Sequence, residues 1–598
     1  METNDSRAID AEHAAATEYW RPRFHFTPAR NWMNDPNGLS FIDGTWHLYY
    51  QYNPLGIEPA NMSWGHAVSL DLLHWEELPV ALMYEGEVGI FSGSAVLDSE
   101  DDAGFGGALV AAYTIAAPGH QSQGLAFSLD EGLSWEKYEG NPVLDRGSTD
   151  FRDPKVFRYL DSSGDGWWVM VAVEAPEEAV VIYRSTNLKD WELTQYFQMP
   201  HQEGLLWECP DLVRLPVVAT RLGKQRSDDE LAETRDLDAG SPADTPTSGT
   251  RTGATTEGLA REFVWALILS TNPGGAAGGS GMRYLLGDFD GAEFTPFADS
   301  SWKPLDWGPD YYAAVSFSGL PGVEEPDGRV VTLGWMSNWD YAEQVPTRPW
   351  RGAMSLPREL AVVESPVGFH LIQHPAREVD AWFGKEIEVA MQPGNSEATA
   401  SHGATSDPDT ATPSSTANSG DSASHSSPDS NRATSDSNTA TSDSKPDAGL
   451  DCRSANGNAV TFDPGTSYLL TLSLKLDGAG TSGRFVLSLA GRSATVSYNV
   501  KAERLTVDRS GSESLHSGGS ASSVADHFSA QLPPVDGTIT LSIFVDSASI
   551  EVFSDEGTVT LSAQMLPRPA SGAGGTTASV STAGEIAIET LTWRPCVA

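Results

Sequence analysis

Three short segments place a carboxyl group where it could do chemistry. In NWMNDPNGLSF (31–41), Asp35 lies between Asn34 and Pro36, with Asn37 and Gly38 following. N-D-P-N-G is a turn signal, and Asp35 could serve only to cap that turn. However, Trp32 and Met33 precede it, and a surface turn needs neither. In DFRDPKVF (150–157), Arg152 stands beside Asp153. This is either a plain ion pair or a carboxylate that arginine keeps ionised, ready to accept hydrogen bonds from two hydroxyls, with Pro154 fixing the backbone. In GLLWECPDL (204–212), Glu208 is flanked by Leu205, Leu206, Trp207, Cys209 and Pro210. A carboxyl in apolar surroundings has a raised pKa and stays protonated near neutrality, as an acid catalyst must. The bland alternative is a strand glutamate facing solvent. Glycoside hydrolysis needs two such carboxyls, one to attack or to activate water and one to protonate the leaving oxygen.

Whatever positions these groups is built of strands. Helical periodicity is scarce, and β-rich runs such as TWHLYYQY, ALVAAYTI, WWVMVAV, FVWALILS and VVTLGWM alternate with Gly, Asp, Asn and Pro. HAVSLDLLHWEEL (66–78), LAFSLDEGLSWEKY (125–138) and IYRSTNLKDWELT (182–194) repeat one pattern: a strand ending in Ser, an Asp/Asn-rich turn, then Trp. Their serines, Ser69, Ser128 and Ser185, are spaced 59 and 57 apart. A fourth copy, RYLLGDFDGAEFTPF, has Gly287 in the serine position after a gap of 102, which falls to about 57 once a loop insertion is removed. A period near 50 with four strands per unit predicts propeller blades, five of them over residues 21–375. Asp35 would then open the first blade, on the strand lining the central channel. After residue 453 the texture changes to strict alternation, as in SYLLTLSLKL and TITLSIFVD, which predicts a β-sandwich to residue 598, with 376–392 supplying a connection and first strand. The predicted class is all-β: a five-bladed β-propeller followed by a C-terminal β-sandwich. Residues 1–20 read as an extension. Two stretches, 222–260 and 393–452, are rich in Ser, Thr, Asp, Gly and Ala, and read as disordered insertions that cannot offset their ordering entropy by burial.

Composition narrows the partners. Formal net charge is −45, from 82 acidic and 37 basic residues. Such a surface repels phosphate backbones and anionic membranes, so neither nucleic acid nor membrane is an expected partner, whereas a neutral small-molecule substrate is indifferent to the field. The 18 Trp, 21 Phe and 16 Tyr suit sugar faces and ordinary cores alike. Cys209, Cys452 and Cys596 do not form a disulfide framework, and the first twenty residues show neither a basic n-region nor an apolar h-region. These features predict a cytoplasmic protein whose substrate is small enough to be imported. The histidines lack ligand spacing, so no metal is expected, and no organic cofactor is implied.

Taken together, the motifs resemble glycoside hydrolase family 32, the β-fructofuranosidases that include invertases, levanases and exo-inulinases. WMNDPNG (32–38), RDP (152–154) and WECPDL (207–212) match the family's signature segments in order, FSGSAV (91–96) matches a fourth, and IFVDSASIEVFSDEG (543–557) resembles its sandwich signature. The resemblance implies that Asp35 is the nucleophile, Glu208 the acid/base and Asp153 the transition-state stabiliser. It implies a fructose pocket drawing on Trp32, Met33, Asn34, Gln51, Trp64, Phe91, Ser92, Arg152 and Trp335, with Trp339 a further candidate for its wall. WGPDYYAAVSF (307–317) and GWMSNWDYAEQVPTRPWRGAMSLPREL (334–360) look most like the exo-acting fructan hydrolases. The chain departs from many relatives at Pro59-Ala60, where a Trp-Gly commonly helps wall the pocket. The implied activity is release of terminal β-D-fructofuranosyl units from sucrose or fructans, with retention, through a fructosyl-enzyme. Two rivals fit less well. A sialidase would share the S-x-D-x-G-x-x-W turn of 128–135 but needs an arginine cluster for its substrate's carboxylate. A non-catalytic sugar-binding propeller would be expected to have lost Asp35 or Glu208.

Overall fold

The computed structural model describes residues 19–199, 205–219, 261–320, 328–366, 368–389, 459–476, 482–489, 493–515, 523–567, 577–584 and 586–597. All of the 222–260 stretch, all of 393–452 and residues 1–18 lie outside them.

Five antiparallel sheets follow one another along the chain. Their first strands are Asn31–Ile42, Gly89–Leu97, Phe151–Leu160, Leu206–Pro216 and Tyr312–Ser316. Each packs beside the next, and the fifth returns to the first, so the five close into the ring of a five-bladed β-propeller. Closure is reinforced by Trp350–Arg351, from the fifth blade's long loop, which pairs in parallel with the start of Asn31–Ile42.

Packing explains why the propeller strands read as continuous apolar runs. Adjacent blades stack face to face, so a central strand is buried on both sides, as strands covered on both faces must be. One core, with Val96, Val110, Phe151 and Val181, fills the space between the second and third blades. Another, with Val171, Ile182, Trp207 and Leu267, lies between the third and fourth. A third, with Val213, Ile268, Val330 and Leu360, lies between the fourth and fifth.

The repeated Ser–Trp pattern is the turn between third and fourth strands. Ser69, Ser128 and Ser185 each donate to the Asx side chain two residues on (Asp71, Asp130, Asn187). The indole N–H of Trp75, Trp135 and Trp191 then donates to a carbonyl three residues back. In the fourth blade Gly287 lies within the third strand, and a Cβ there would stand 2.3 Å from the Thr295 carbonyl oxygen, so no larger residue fits. Leu206–Pro216 and Phe263–Asn272 pair as a hairpin, with Pro216 opposite Phe263, so the 222–260 stretch falls in a hairpin connection.

The sandwich consists of two six-stranded antiparallel sheets. Only one face of each is covered by the other, which produces the strict alternation seen in its sequence. Ile387–Glu388 joins the edge of one sheet through Ile586–Pro595. The 543–557 segment faces the propeller with buried charge. Asp546 and Glu551 each bond one ring nitrogen of His25 at 2.9 Å, and Glu551 also accepts from Arg358 at 2.6 Å. Arg358 reaches Asp306 as well, at 2.9 Å.

Candidate active site

Every first strand breaks register near the same end. One extra residue is inserted between Met33 and Pro36, Phe91 and Gly93, Arg152 and Lys155, Glu208 and Asp211, and Tyr312 and Val315. A bulge bends its strand and re-aims side chains. Three of these bulges hold a non-glycine residue in the left-handed region: Asp153 (φ 62°), Cys209 (φ 46°) and Ala313 (φ 52°). That backbone costs of order 1–3 kcal/mol at each position and persists only where the surroundings over-determine it. Five such bulges converge on one end of the channel and carry Asn34, Asp35, Ser92, Asp153, Glu208 and Tyr312 into it.

Asp35 is half-buried and held by several partners. Asn34 Nδ2 donates to its Oδ1 at 3.0 Å, Ser92 Oγ to its Oδ2 at 2.7 Å, and Cys209 Sγ lies 3.6 Å from Oδ2. Burial raises its pKa, and the Ser92 and Asn34 bonds oppose that rise. Trp32 supports Asn34, its indole N–H donating to Asn34 Oδ1 at 2.7 Å. Asn37 holds the turn, donating to the Asp35 carbonyl at 2.7 Å and accepting from Gly93 N–H at 3.1 Å.

Glu208 is held from both sides. Arg152 Nη1 donates to Oε1 at 2.9 Å and the Tyr312 hydroxyl to Oε2 at 2.6 Å. Its pKa is also raised, by burial first; Arg152 pulls the other way and the Asp35 charge adds to the rise. Asp153 accepts from Cys209 N–H at 2.9 Å, and its own N–H donates to Thr114 Oγ1 at 2.9 Å. Cys209 Sγ, 3.7 Å from Asp153 Oδ2, thus touches both aspartates.

Here the structure corrects the expectation for Asp153. Arg152 turns its guanidinium to Glu208 and Asp150 instead, and lowers the Asp153 pKa through its charge. Burial, together with the Glu208 and Asp35 charges, raises Asp153 to about 7 despite the nearby arginine. Burial raises all three carboxyls, and neighbouring charge adds to the rise at Asp153 and Glu208.

The expected pocket residues separate into those at the carboxyls and those behind them. Asn34, Ser92 and Arg152 contact Asp35 or Glu208 directly. Gln51 and Trp64 do not: Gln51 Nε2 donates to the Ile90 carbonyl at 3.1 Å and the Trp64 indole to the Phe91 carbonyl at 3.0 Å, bracing the backbone just before Ser92. Met33 points the other way from Trp32, as successive strand residues must. It is fully buried in a core with Phe24, Phe26, Leu48 and Leu333, and does not reach the site. Trp335 is also fully buried, so it offers no open face. It packs 4.9 Å from Trp339, which in turn stacks 6.0 Å from Trp32. Half-buried Trp339 is the outer member of that stack. Phe91 packs against the same cluster.

Tyr312, Thr114, Asp150 and the Cys209 thiol were not singled out as site residues by the motifs. Tyr312 lies in the quoted segment WGPDYYAAVSF, but period-2 alternation gives no sign of which tyrosine faces the channel, because the bulge at 312–315 resets the phase.

Comparison with known proteins follows the same lines. Residues 25–375 match the glycosyl hydrolases family 32 N-terminal domain and 423–595 the glycosyl hydrolases family 32 C-terminal domain. A levanase of Bacillus subtilis is 34% identical over 94% of this chain and 69% of its own length. An extracellular exo-inulinase of Aspergillus awamori is 33% identical over 92% of this chain and 90% of its own. The crystal structure of the exo-inulinase from Aspergillus awamori superposes with a TM-score of 0.70 at 30% identity, covering 96% of this chain and 97% of that one. A β-fructofuranosidase from Schwanniomyces occidentalis, complexed with fructosyl-erythritol, superposes with a TM-score of 0.70 at 26% identity, covering 97% and 98%. With both domains matched and this order of identity across nearly the whole chain, the protein belongs to glycosyl hydrolase family 32.

Proposed function

We propose that this family 32 glycosidase releases terminal non-reducing β-D-fructofuranosyl residues from sucrose, fructo-oligosaccharides, inulin or levan by double displacement. The observation that carries the mechanism is the pairing of unlike carboxyls across the bulged channel. Asp35 is held by neutral donors, Asn34 and Ser92, which leave it free to attack. Glu208 is held by Arg152 and Tyr312 in a buried setting that raises its pKa.

Asp35 attacks the anomeric carbon through an oxocarbenium-like transition state, forming a fructosyl-enzyme. Glu208 protonates the departing oxygen and then, ionised, takes a proton from the water that hydrolyses the intermediate. Developing positive charge on the sugar favours ionisation of Asp35 and Asp153, while Glu208, whose pKa burial raises, carries the proton that the leaving group needs. Asp153 accepts hydrogen bonds from sugar hydroxyls. Sugar in place of water at the second step gives fructosyl transfer at high substrate concentration. Retention calls for carboxyl groups about 5–5.5 Å apart in the substrate complex.

Asp35→Ala tests this reading. Fructose release from sucrose, short inulin-type oligomers and levan is expected to vanish while circular dichroism stays that of the unaltered protein. Undiminished release would reject the assignment.

A further inference from the structure

The three left-handed bulges, at Asp153, Cys209 and Ala313, lie on the third, fourth and fifth first strands. Just past them, each strand contributes to one buried contact point. Lys155 Nζ, nearly enclosed, lies 3.1 Å from Asp211 Oδ2 and donates to the Ser316 carbonyl at 2.7 Å and the Ser316 hydroxyl at 2.8 Å. Asp211 Oδ2 also accepts from Ser316 N–H at 2.7 Å. Lys155 and Asp211 are the residues at which pairing resumes after the Arg152 and Glu208 breaks, and Ser316 follows Val315, where it resumes in the fifth strand. The second strand joins at the same level, Ser94 Oγ donating to the Pro154 carbonyl at 2.8 Å and accepting from Val156 N–H at 2.9 Å.

We propose that Lys155, Asp211 and Ser316 are positioning residues: a buried node that holds three strained bulges in mutual register and so sets the spacing of Asp153, Glu208 and Tyr312. A bulge leaves its strand free to slip or relax, since the ladder is interrupted there, and a left-handed non-glycine residue relaxes unless held. Ordinary ladder pairing ties the third, fourth and fifth of these strands to their own blades. Nothing in that pairing fixes one blade's bulge relative to the next, yet the carboxyl cluster is assembled across blades. The node supplies that tie, with a charge pair and three further hydrogen bonds converging on Lys155, Asp211 and Ser316. The proposal rests on the reading of Glu208 and Asp153 as members of the reacting group.

The test uses the full chain with sucrose as substrate, comparing Lys155→Met, Asp211→Asn, the double variant and Ser316→Ala. Each single charge variant is expected to lower kcat by about 10- to 100-fold, the penalty for small misplacement of reacting groups, with KM changed far less. Both should also lower the thermal midpoint, because one charge is left buried without its partner. The double variant removes both charges and should regain much of that midpoint, while kcat stays low because the Lys155 ties to Ser316 are gone. A kcat that recovers together with the midpoint would show a merely structural ion pair and overturn the proposal. So would a folded single variant with unaltered kcat. If the charge variants do not fold, Ser316→Ala decides: it keeps the backbone contacts and loses only the hydroxyl, so a kcat reduced about threefold at unchanged KM supports the node, and an unaltered kcat refutes it. An active Asp35→Ala would instead defeat the catalytic reading itself, whatever the node variants do.

Discussion

Replacing Tyr312 by Phe isolates one hydrogen bond at Glu208, the proposed acid/base. The ring is fully buried and its hydroxyl donates to Glu208 Oε2 at 2.6 Å. Burial and the Glu208 charge hold the Tyr312 pKa well above its usual value, so the phenol remains a donor throughout the working range. A donor of this kind stabilises the ionised carboxylate. Phe keeps the ring and removes the donor, so Glu208 should hold its proton to higher pH. A hydrogen bond to a charged group is worth about 1.5–3 kcal/mol. At 1.36 kcal/mol per pKa unit, that moves Glu208 upward by about 1 to 2. Arg152 still holds the other oxygen, so the carboxyl stays in place. In the proposed mechanism glycosyl transfer to Asp35 needs protonated Glu208, so the alkaline limb of kcat/KM reports this group in the free enzyme. Initial rates of fructose release at low sucrose concentration, measured across pH, should show that limb displaced upward by about 1 to 2 pH units in Tyr312→Phe. A limb that stays in place or moves down would show that Tyr312 does not govern the proton on Glu208, and the argument from its geometry would fall.

Two further predictions concern stability. Burial alone would lower the His25 pKa, but its bonds to Asp546 and Glu551 raise it to about 9. The folded value lies above the unfolded one, near 6.5, so the stabilisation, on the order of 3 kcal/mol, is complete below about pH 6.5 and lost as pH rises through about 9. The thermal midpoint should fall across that window, and His25→Gln should lose most of this dependence; an identical fall in the variant would exclude His25 as its source. Gly93→Ala should destabilise the chain by on the order of 3 kcal/mol, because the new Cβ would meet the Ala112 carbonyl oxygen at 2.0 Å inside the second blade. An unchanged denaturant midpoint would contradict that.

The fold was readable because burial differs between the two domains. Strands stacked on both faces wrote apolar runs, strands covered on one face wrote alternation, and the Ser–Trp turns marked blade ends. Asp35 and Glu208 stood out because their neighbours are turn-forming or apolar. What stayed hidden lies in the bulges. Arg152 adjoins Asp153 in sequence, but the left-handed backbone at Asp153 sends its carboxylate to the Cys209 N–H and leaves the guanidinium to Glu208. Gln51 and Trp64 sit on second and third strands, one layer back, and brace the backbone of 90 and 91. Tyr312 comes from a blade more than a hundred residues after Glu208, and no local pattern connects them.

The parallel pairing of Asn31 with Trp350 and of Trp32 with Arg351 is the seam by which the circle is fastened. Gly352 is fitted into it so closely that a Cβ would come within 2.1 Å of the Met33 carbonyl oxygen. Asp35, the proposed nucleophile, lies only three residues past Trp32. Partial opening at this fastening would displace Asp35 while the outer sheets remain folded, because local openings need less free energy than global unfolding. Catalysis therefore gauges closure of the circle, and under rising denaturant it should fade before the far-ultraviolet β signal does.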